Sequence, residues 1–297
     1  MNTRIPMMPA PVNGRRIAIA LGALALGAVA MGASPIFVRL ADVGPYASAF
    51  WRATLALPFF WVWTRVEVRQ NEAGSGADWT VLLAGLLFAI DLFFWHLSIL
   101  ATTVANAAFF ATTSPIWVAI GAWLILRETI HARVVWGITL CLLGGAALVG
   151  QSYSFAPQRL LGDIFGLTTA FFFGSYVIAV RAARRHVSAA QLSFVSTAIT
   201  AAILFVVAIV FERTLLPGSI QGAGAVLALA IVSQVGGQGL LAVALGTLPA
   251  TFSSLVIFLE AIAAAALGWI FLGEALSLLQ AVGGALILFG ILIARPR

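Results

Sequence analysis

About ten windows of roughly twenty apolar residues follow one another along this chain, and that pattern constrains it more than any motif. A bilayer core about 30 Å thick needs roughly 20 apolar residues per crossing helix. The windows run near 17–39, 45–65, 79–100, 103–126, 133–151, 161–181, 189–211, 221–245, 250–272 and 276–294. Windows of this length read as helices, which satisfy their backbone groups internally in lipid. Charged residues make up only 9% of the chain, against roughly a quarter in soluble domains, so most of the exterior must face lipid. The expected class is an all-α polytopic membrane protein with the lipid bilayer as its surroundings. The longest polar segment, Arg65–Asp78, is too short for a soluble domain.

The chain also repeats itself. Trp123, Glu128, Gly137 and Gly144 answer to Trp269, Glu274, Gly283 and Gly290 at a constant offset of 146. Gly32 and Arg39 answer to Gly174 and Arg181 at an offset of 142. Self-similarity at a long period signals duplicated architecture. The expected organisation is a tail over 1–16, a first five-helix repeat over 17–152 and a second over 153–297. Ala101-Thr102-Thr103 and Gly246–Pro249 read as tight helical hairpins at matching places in the halves.

There is no lysine, so all sixteen basic residues are arginines. They lie singly between apolar spans rather than in one patch, which argues for topology signals and against nucleic acid. With a cytoplasmic amino terminus, all but Arg39, Arg52, Arg159 and Arg213 fall on the inner side. That bias matches the positive-inside rule and places both termini in the cytoplasm. Five spans per half then insert with opposite orientation: two inverted-topology repeats around a central cavity, the pattern of alternating-access transporters.

Several chemistries drop out. A Walker A loop or a Schiff base needs lysine. HExxH and Cys–His metal spacings are missing, and the single Cys141 permits no internal disulfide. No cofactor, metal or enzymatic activity is expected. The rival reading is an intramembrane serine-type enzyme using Ser34 and His96, which leaves the repeat unexplained.

Ionisable residues inside a span face a cavity or a partner. Asp91 and His96 in the third span and Glu260 in the ninth are the candidates for substrate binding or proton coupling. A plain helix–helix hydrogen bond is the alternative for Asp91 and Glu260, and a satisfied core histidine for His96. Asp91, Trp95 and Ser98 share one helix face. Asn106, Phe110, Thr113 and Trp117 form a mixed polar and aromatic stripe suited to a cavity wall. Gly166, Thr169, Phe173 and Tyr176 repeat that logic in the sixth span, and Gln234 and Gln238 add amides in the eighth beside a glycine cluster. Ser34-Pro35 and Ser114-Pro115 read as helix breaks that expose carbonyls to a cavity. Arg52 is expected to reach Asp42 at the outer rim, and Glu128 to pair with Arg127 or Arg133. Glu128 and Glu274 read as structural groups at the membrane edges.

The segments GASPIFVR, FWRATLALP, GDIFGLTTAFFFGSYVIAVR, TTSPIWVAIGAWLILRETI and VIFLEAIAAAALGWIFLGEAL resemble the drug/metabolite transporter superfamily, in its ten-helix EamA-type branch. The likeness runs over about 17–294. Arg127-Glu128 replaces the usual Gly-Glu, and Ala261 stands where the family often has proline. Within the superfamily the chain is similar to bacterial amino-acid exporters, including the aromatic ones. The resemblance implies an inner-membrane exporter of small amphipathic molecules, amino acids or related metabolites, with protons as an optional coupling ion. One chain holds both halves, so it is expected to work as a monomer.

Overall fold

The computed structural model describes residues 14–69, 78–102, 110–150, 157–272 and 277–295. Thirteen α-helices carry these segments: α1 (Gly14–Gly32), α2 (Ser34–Leu40), α3 (Pro45–Arg69), α4 (Trp79–Ala101), α5 (Ser114–Leu124), α6 (Ala132–Val149), α7 (Leu160–Ala183), α8 (Ala189–Phe211), α9 (Ile220–Ala228), α10 (Gly239–Leu245), α11 (Ala250–Val256), α12 (Leu259–Leu272) and α13 (Leu278–Ala294). A π-helical stretch, Leu229–Gln238, joins α9 to α10. No strand occurs among the described residues.

Helix starts follow local chemistry. Asp78 accepts from the Thr80 amide at the start of α4, Ser188 from Gln191 at α8, and Ser219 from Gly222 at α9. Ser277 and Gln280 form a reciprocal capping box on α13. Each satisfies amides that the first helical turn leaves without partners.

Six helical stretches are long and apolar enough to cross a bilayer: Gly14–Val38, Trp79–Ser98, Leu160–Ala183, Ala189–Phe211, Ile220–Leu245 and Ala250–Leu267. Ser114–Leu124, Ala132–Leu148 and Leu278–Ala294 are apolar but shorter. The ten sequence windows are therefore not ten uniform helices. The helix over 45–65 carries Arg52 in its interior, and the described part of the fourth window contains a break. Large apolar side chains such as Leu26, Trp61, Trp123, Trp136 and Val210 stand outward and exposed. A surface of that kind suits lipid contact.

Three helix pairs dominate the packing: α4 on α7, α6 on α13 and α3 on α8. Glycines set the closest approaches. A Cβ on Gly144 would stand 2.5 Å from the Gly283 carbonyl oxygen, and one on Gly283 would stand 2.6 Å from that of Gly144. Gly137 and Gly290 face each other the same way, each 2.8 Å from the other's carbonyl. The two echoed glycine pairs of the sequence thus meet across α6 and α13. Gly32 seats on the Glu260 carbonyl and Gly174 on that of Ser114, partners again 146 residues apart.

The α3–α8 pair shows the same reciprocity in hydrogen bonds. Glu67 near the end of α3 accepts from the Ala190 amide at the start of α8. Glu212, just past the end of α8, accepts from Tyr46 and Ala47 at the start of α3, at 2.5 and 2.9 Å. Each helix caps the other with a carboxylate, where the helix dipole favours negative charge.

Candidate functional site

Helix interruptions build the site. The chain breaks at Ala33 between α1 and α2, at Thr112–Thr113 before α5, and at Ile257–Phe258 between α11 and α12. Pro35 and Pro115 sit in the first turns of α2 and α5, where a missing N–H costs nothing. Thr113 steadies its break by donating its hydroxyl to the Phe110 carbonyl at 2.6 Å. The third break keeps its place although Ala261 replaces the proline expected there; short-range backbone bonds from Phe258 to Leu255 and from Glu260 to Ile257 run through it. Broken helices at membrane depth are tolerated where they line a cavity.

All three breaks and the π-helical stretch adjoin one cavity of about 330 Å³. Ser34, Ser114, Glu260 and Gln238 enter its wall from these segments. Asp91, Trp95 and Phe88 line it from α4, Thr169 and Phe173 from α7, and Arg52 from α3. Both halves of the chain contribute. The wall is mainly apolar and aromatic with few polar groups, the usual make-up of a small-molecule site.

Arg52 is the group that sequence reasoning misplaced. It does not lie at the rim against Asp42, whose carboxylate packs on Gly222 instead. Arg52 is 8% exposed, donates its Nε to Gln234 Oε1 at 2.9 Å, and holds its guanidinium 5.9 Å from the centre of the Phe88 ring. Gln234 is oriented in turn by donating to the Thr197 hydroxyl at 3.3 Å. Arg52 shares the cavity wall with Glu260 and Asp91, yet among the described residues neither carboxylate comes within ion-pair distance of it. A lone arginine beside Trp51 looked like an interfacial residue; its depth depends on where α3 sits against α8 and the π-helical stretch.

The other sequence candidates divide. Ser34, Asp91, Trp95, Phe173, Gln238, Pro115 and Glu260 stand on the cavity wall. Tyr176 lies behind it, donating to Gln238 Oε1 at 3.1 Å and stacking on Phe88 at 4.8 Å. Gln234 acts from behind through Arg52. His96 is buried away from the wall: its Nδ1 faces the Leu92 carbonyl at 2.5 Å, so that nitrogen carries the proton, and its ring packs on Tyr46 and Trp95. No hydrogen bond joins it to Ser34 among the described residues. Ser98 shares the Asp91 face in projection but donates to the Gly162 carbonyl at 2.8 Å, holding α4 to α7.

The stripe in the fourth window splits apart. Phe110 packs its Cβ on Gly166, and Trp117 points outward, 36% exposed, edge-on to Phe171. The helix break before Ser114 resets the register, so a single helical wheel cannot describe that stripe. Thr112 and Ser114 line the cavity there instead. Asn106 and Glu274 lie outside the described residues.

Glu128 pairs with Arg181 at 3.3 Å rather than with its chain neighbours, and the Ala250 amide also donates to it. Arg181 further donates to the Leu245 carbonyl at 2.7 Å. Arg127 takes a left-handed backbone, with φ of 56°, beside Glu128.

The profile of the EamA-like transporter family matches this chain twice, over residues 18–150 and 160–295. The chain is 27% identical over 209 residues to the pseudopaline exporter CntI of Pseudomonas aeruginosa, covering 70% of this chain and 71% of that protein. It is 27% identical over 149 residues to an uncharacterized transporter of Archaeoglobus fulgidus, covering 48% and 50% respectively. A protein of known crystal structure shares the fold at a TM-score of 0.77 and 20% identity, over 94% of this chain and 96% of that one. With both halves matched, an apolar exterior and a central cavity reached by broken helices, the chain belongs to the EamA-like family of membrane transporters.

Proposed function

We propose that this chain exports small amphipathic metabolites, amino acids or related compounds, by alternating access through the cavity. In this reading it crosses a bacterial-type inner membrane ten times with both termini cytoplasmic, as inverted repeats over 17–152 and 153–297, and works as a monomer. The cavity itself is the observation that carries the proposal. Three helix breaks, one cation and two carboxylates meet there between the halves, where inverted-repeat transporters hold their substrates. The glycine pairs 146 residues apart and the reciprocal Glu67 and Glu212 caps support the repeat. Contacts near the span ends support the alternating path: Thr102 bonds Asp163, Asp78 bonds His186, and Arg181 bonds Leu245. In each pair the alternation of spans assigns both residues to one side. The exporter of Pseudomonas aeruginosa supports the direction of transport.

Asp91 and Glu260 are the proton-coupling candidates, being carboxylates that enter the cavity without an ion-pair partner among the described residues. His96 is a weaker one, since its ring is committed to the Leu92 carbonyl and to two aromatic neighbours. The test is uptake of radiolabelled amino acids into proteoliposomes with and without an imposed pH gradient. Saturable flux that follows the gradient, and loses that dependence in Asp91→Asn or Glu260→Gln, is the expected result. Flux blind to the gradient would leave a facilitator. No flux of any amino acid would sink the substrate class.

A further inference from the structure

Charge in the cavity is arranged with a polarity that the repeat does not require. Glu260 answers to Ser114 at the offset of 146, and both stand at the start of a helix that follows a break. Asp91 answers to Gly237: Thr169 donates to the Asp91 carbonyl, and Gly27, 142 residues before Thr169, packs on that of Gly237. The matching positions of the other half are uncharged. The two carboxylates therefore have no charged counterpart in the other half, and one guanidinium shares the wall with them.

Their bonding is incomplete. Arg52 commits only its Nε, to Gln234, while its other nitrogens have no bonded partner among the described residues. Asp91 is 5% exposed, and among the described residues its carboxylate has no hydrogen bond. Buried charges are normally paired and hydrogen-bonded. Here the cation and both carboxylates line one space and do not neutralise each other by contact. The amide of Gln234 and the face of Phe88 fix the direction of the guanidinium, as a recognition group requires and a flexible structural bridge does not. The breaks also start α5 and α12 at the wall, adding the positive ends of two helix dipoles near Ser114 and Glu260.

We propose that Arg52 binds a carboxylate of the transported molecule while Asp91 and Glu260 hold its ammonium end, so that the substrate class is zwitterionic. Trp95, Phe173 and Phe88 enclose the apolar part between the two ends. This deepens the transport reading above and rests on it. A compound with an amine but no acid lacks the partner for Arg52 and leaves that cation unpaired, which costs binding. A compound with an acid but no amine leaves the carboxylates unpaired in the same way.

The experiment is counterflow into proteoliposomes. The labelled amino acid with the fastest saturable flux is competed by its own decarboxylated amine and by its deaminated acid. Wild-type protein is expected to prefer the zwitterion over either analogue by about tenfold or more, the scale of one lost charged hydrogen bond. In Arg52→Gln the preference over the amine should collapse to near unity, while competition by the amine persists and reports a folded protein. Arg52→Lys, which keeps the charge but not the fork, should fall between the two. In Asp91→Asn the preference over the deaminated acid should shrink instead. If Arg52→Gln keeps the wild-type preference, or if wild-type protein takes the amine as well as the zwitterion, the assignment is overturned and the transport reading stands. No saturable flux of any amino acid overturns both.

Discussion

Gly144 and Gly283 press their backbones together, each carbonyl oxygen about where the other's Cβ would be, at 2.5 and 2.6 Å. Small residues let membrane helices approach this closely, and association in lipid depends on such packing because there is no hydrophobic drive between helices. Cys141 sits fully buried in the same seam against the Ile287 carbonyl. The α6–α13 pair is therefore a rigid seam with no room for a methyl group.

Gly144→Ala should destabilise the protein by about 1–3 kcal/mol through overpacking. Gly22→Ala and Gly224→Ala, where a Cβ meets nothing within 4 Å, should be neutral or stabilising by roughly 0.5–1 kcal/mol, since alanine is the better helix former. Thermal unfolding in detergent measures all three. Equal midpoints for Gly144→Ala and Gly22→Ala would contradict the seam.

The reciprocal caps on α3 and α8 predict two similar, independent losses. Glu67→Ala and Glu212→Ala should each cost about 0.5–2 kcal/mol, the range for losing a helix-start acceptor. The sites sit at opposite ends of the helix pair, so the double variant should show the sum within about 0.5 kcal/mol. A clear departure from additivity would mean that the ends communicate through the helix pair.

Outside the spans, Asp78 accepts from the Thr80 hydroxyl at 2.6 Å and the Thr80 amide at 2.9 Å, and its other oxygen meets His186 Nε2 at 2.6 Å. These bonds, the Thr80 hydroxyl first, hold its carboxyl below its ordinary value of 3.8. A folded value lower than the unfolded one means that the contribution is fully present above about pH 4 and fades as pH falls through the folded value. Asp78→Asn should flatten the acid limb of a melting-temperature profile below about pH 4. An unchanged acid limb would remove Asp78 as its source.

Glu128 and Arg181 are partly buried, with side chains 16% and 19% exposed. A double-mutant cycle with Glu128→Gln and Arg181→Gln should give a coupling of about 1 kcal/mol, within the range for residues in direct contact. The single Glu128→Gln change also weakens the acceptor for the Ala250 amide at the start of α11. A coupling near zero would show that the two residues act only through their separate backbone bonds.

The apolar windows, the repeat and the helix breaks were legible in the residues themselves. Gly137, Gly144, Gly283 and Gly290 echoed each other in the chain and meet in space, because a seam of close backbones tolerates no other residue type. Ser34-Pro35 and Ser114-Pro115 mark breaks, because proline fits best in a first helical turn, although Pro58 lies inside α3. Asp91 and Glu260 stood out because buried charge in lipid demands a cavity or a partner. Trp117, Ser98 and Arg52 were harder to place. Helical spacing tells which residues share a face, but lipid and helix interface are both apolar, so hydropathy cannot tell which way that face turns. Trp117 looked like cavity lining and faces outward, while Ser98 looked available to substrate and bonds a neighbouring helix.

Run length, glycine spacing and proline position act locally and need no neighbour, so a helical, apolar, duplicated chain is readable from the residues alone. Tertiary structure decided which groups share the cavity. Arg52 and Gln234 are 182 residues apart and meet only because α3 packs beside the π-helical stretch. The ending of Glu128's pairing, on Arg181 rather than Arg127, likewise depends on how one half lies against the other. Long-range placement of a few charges is an outcome of packing, because a charge inside a span needs a cavity or a partner that other helices supply.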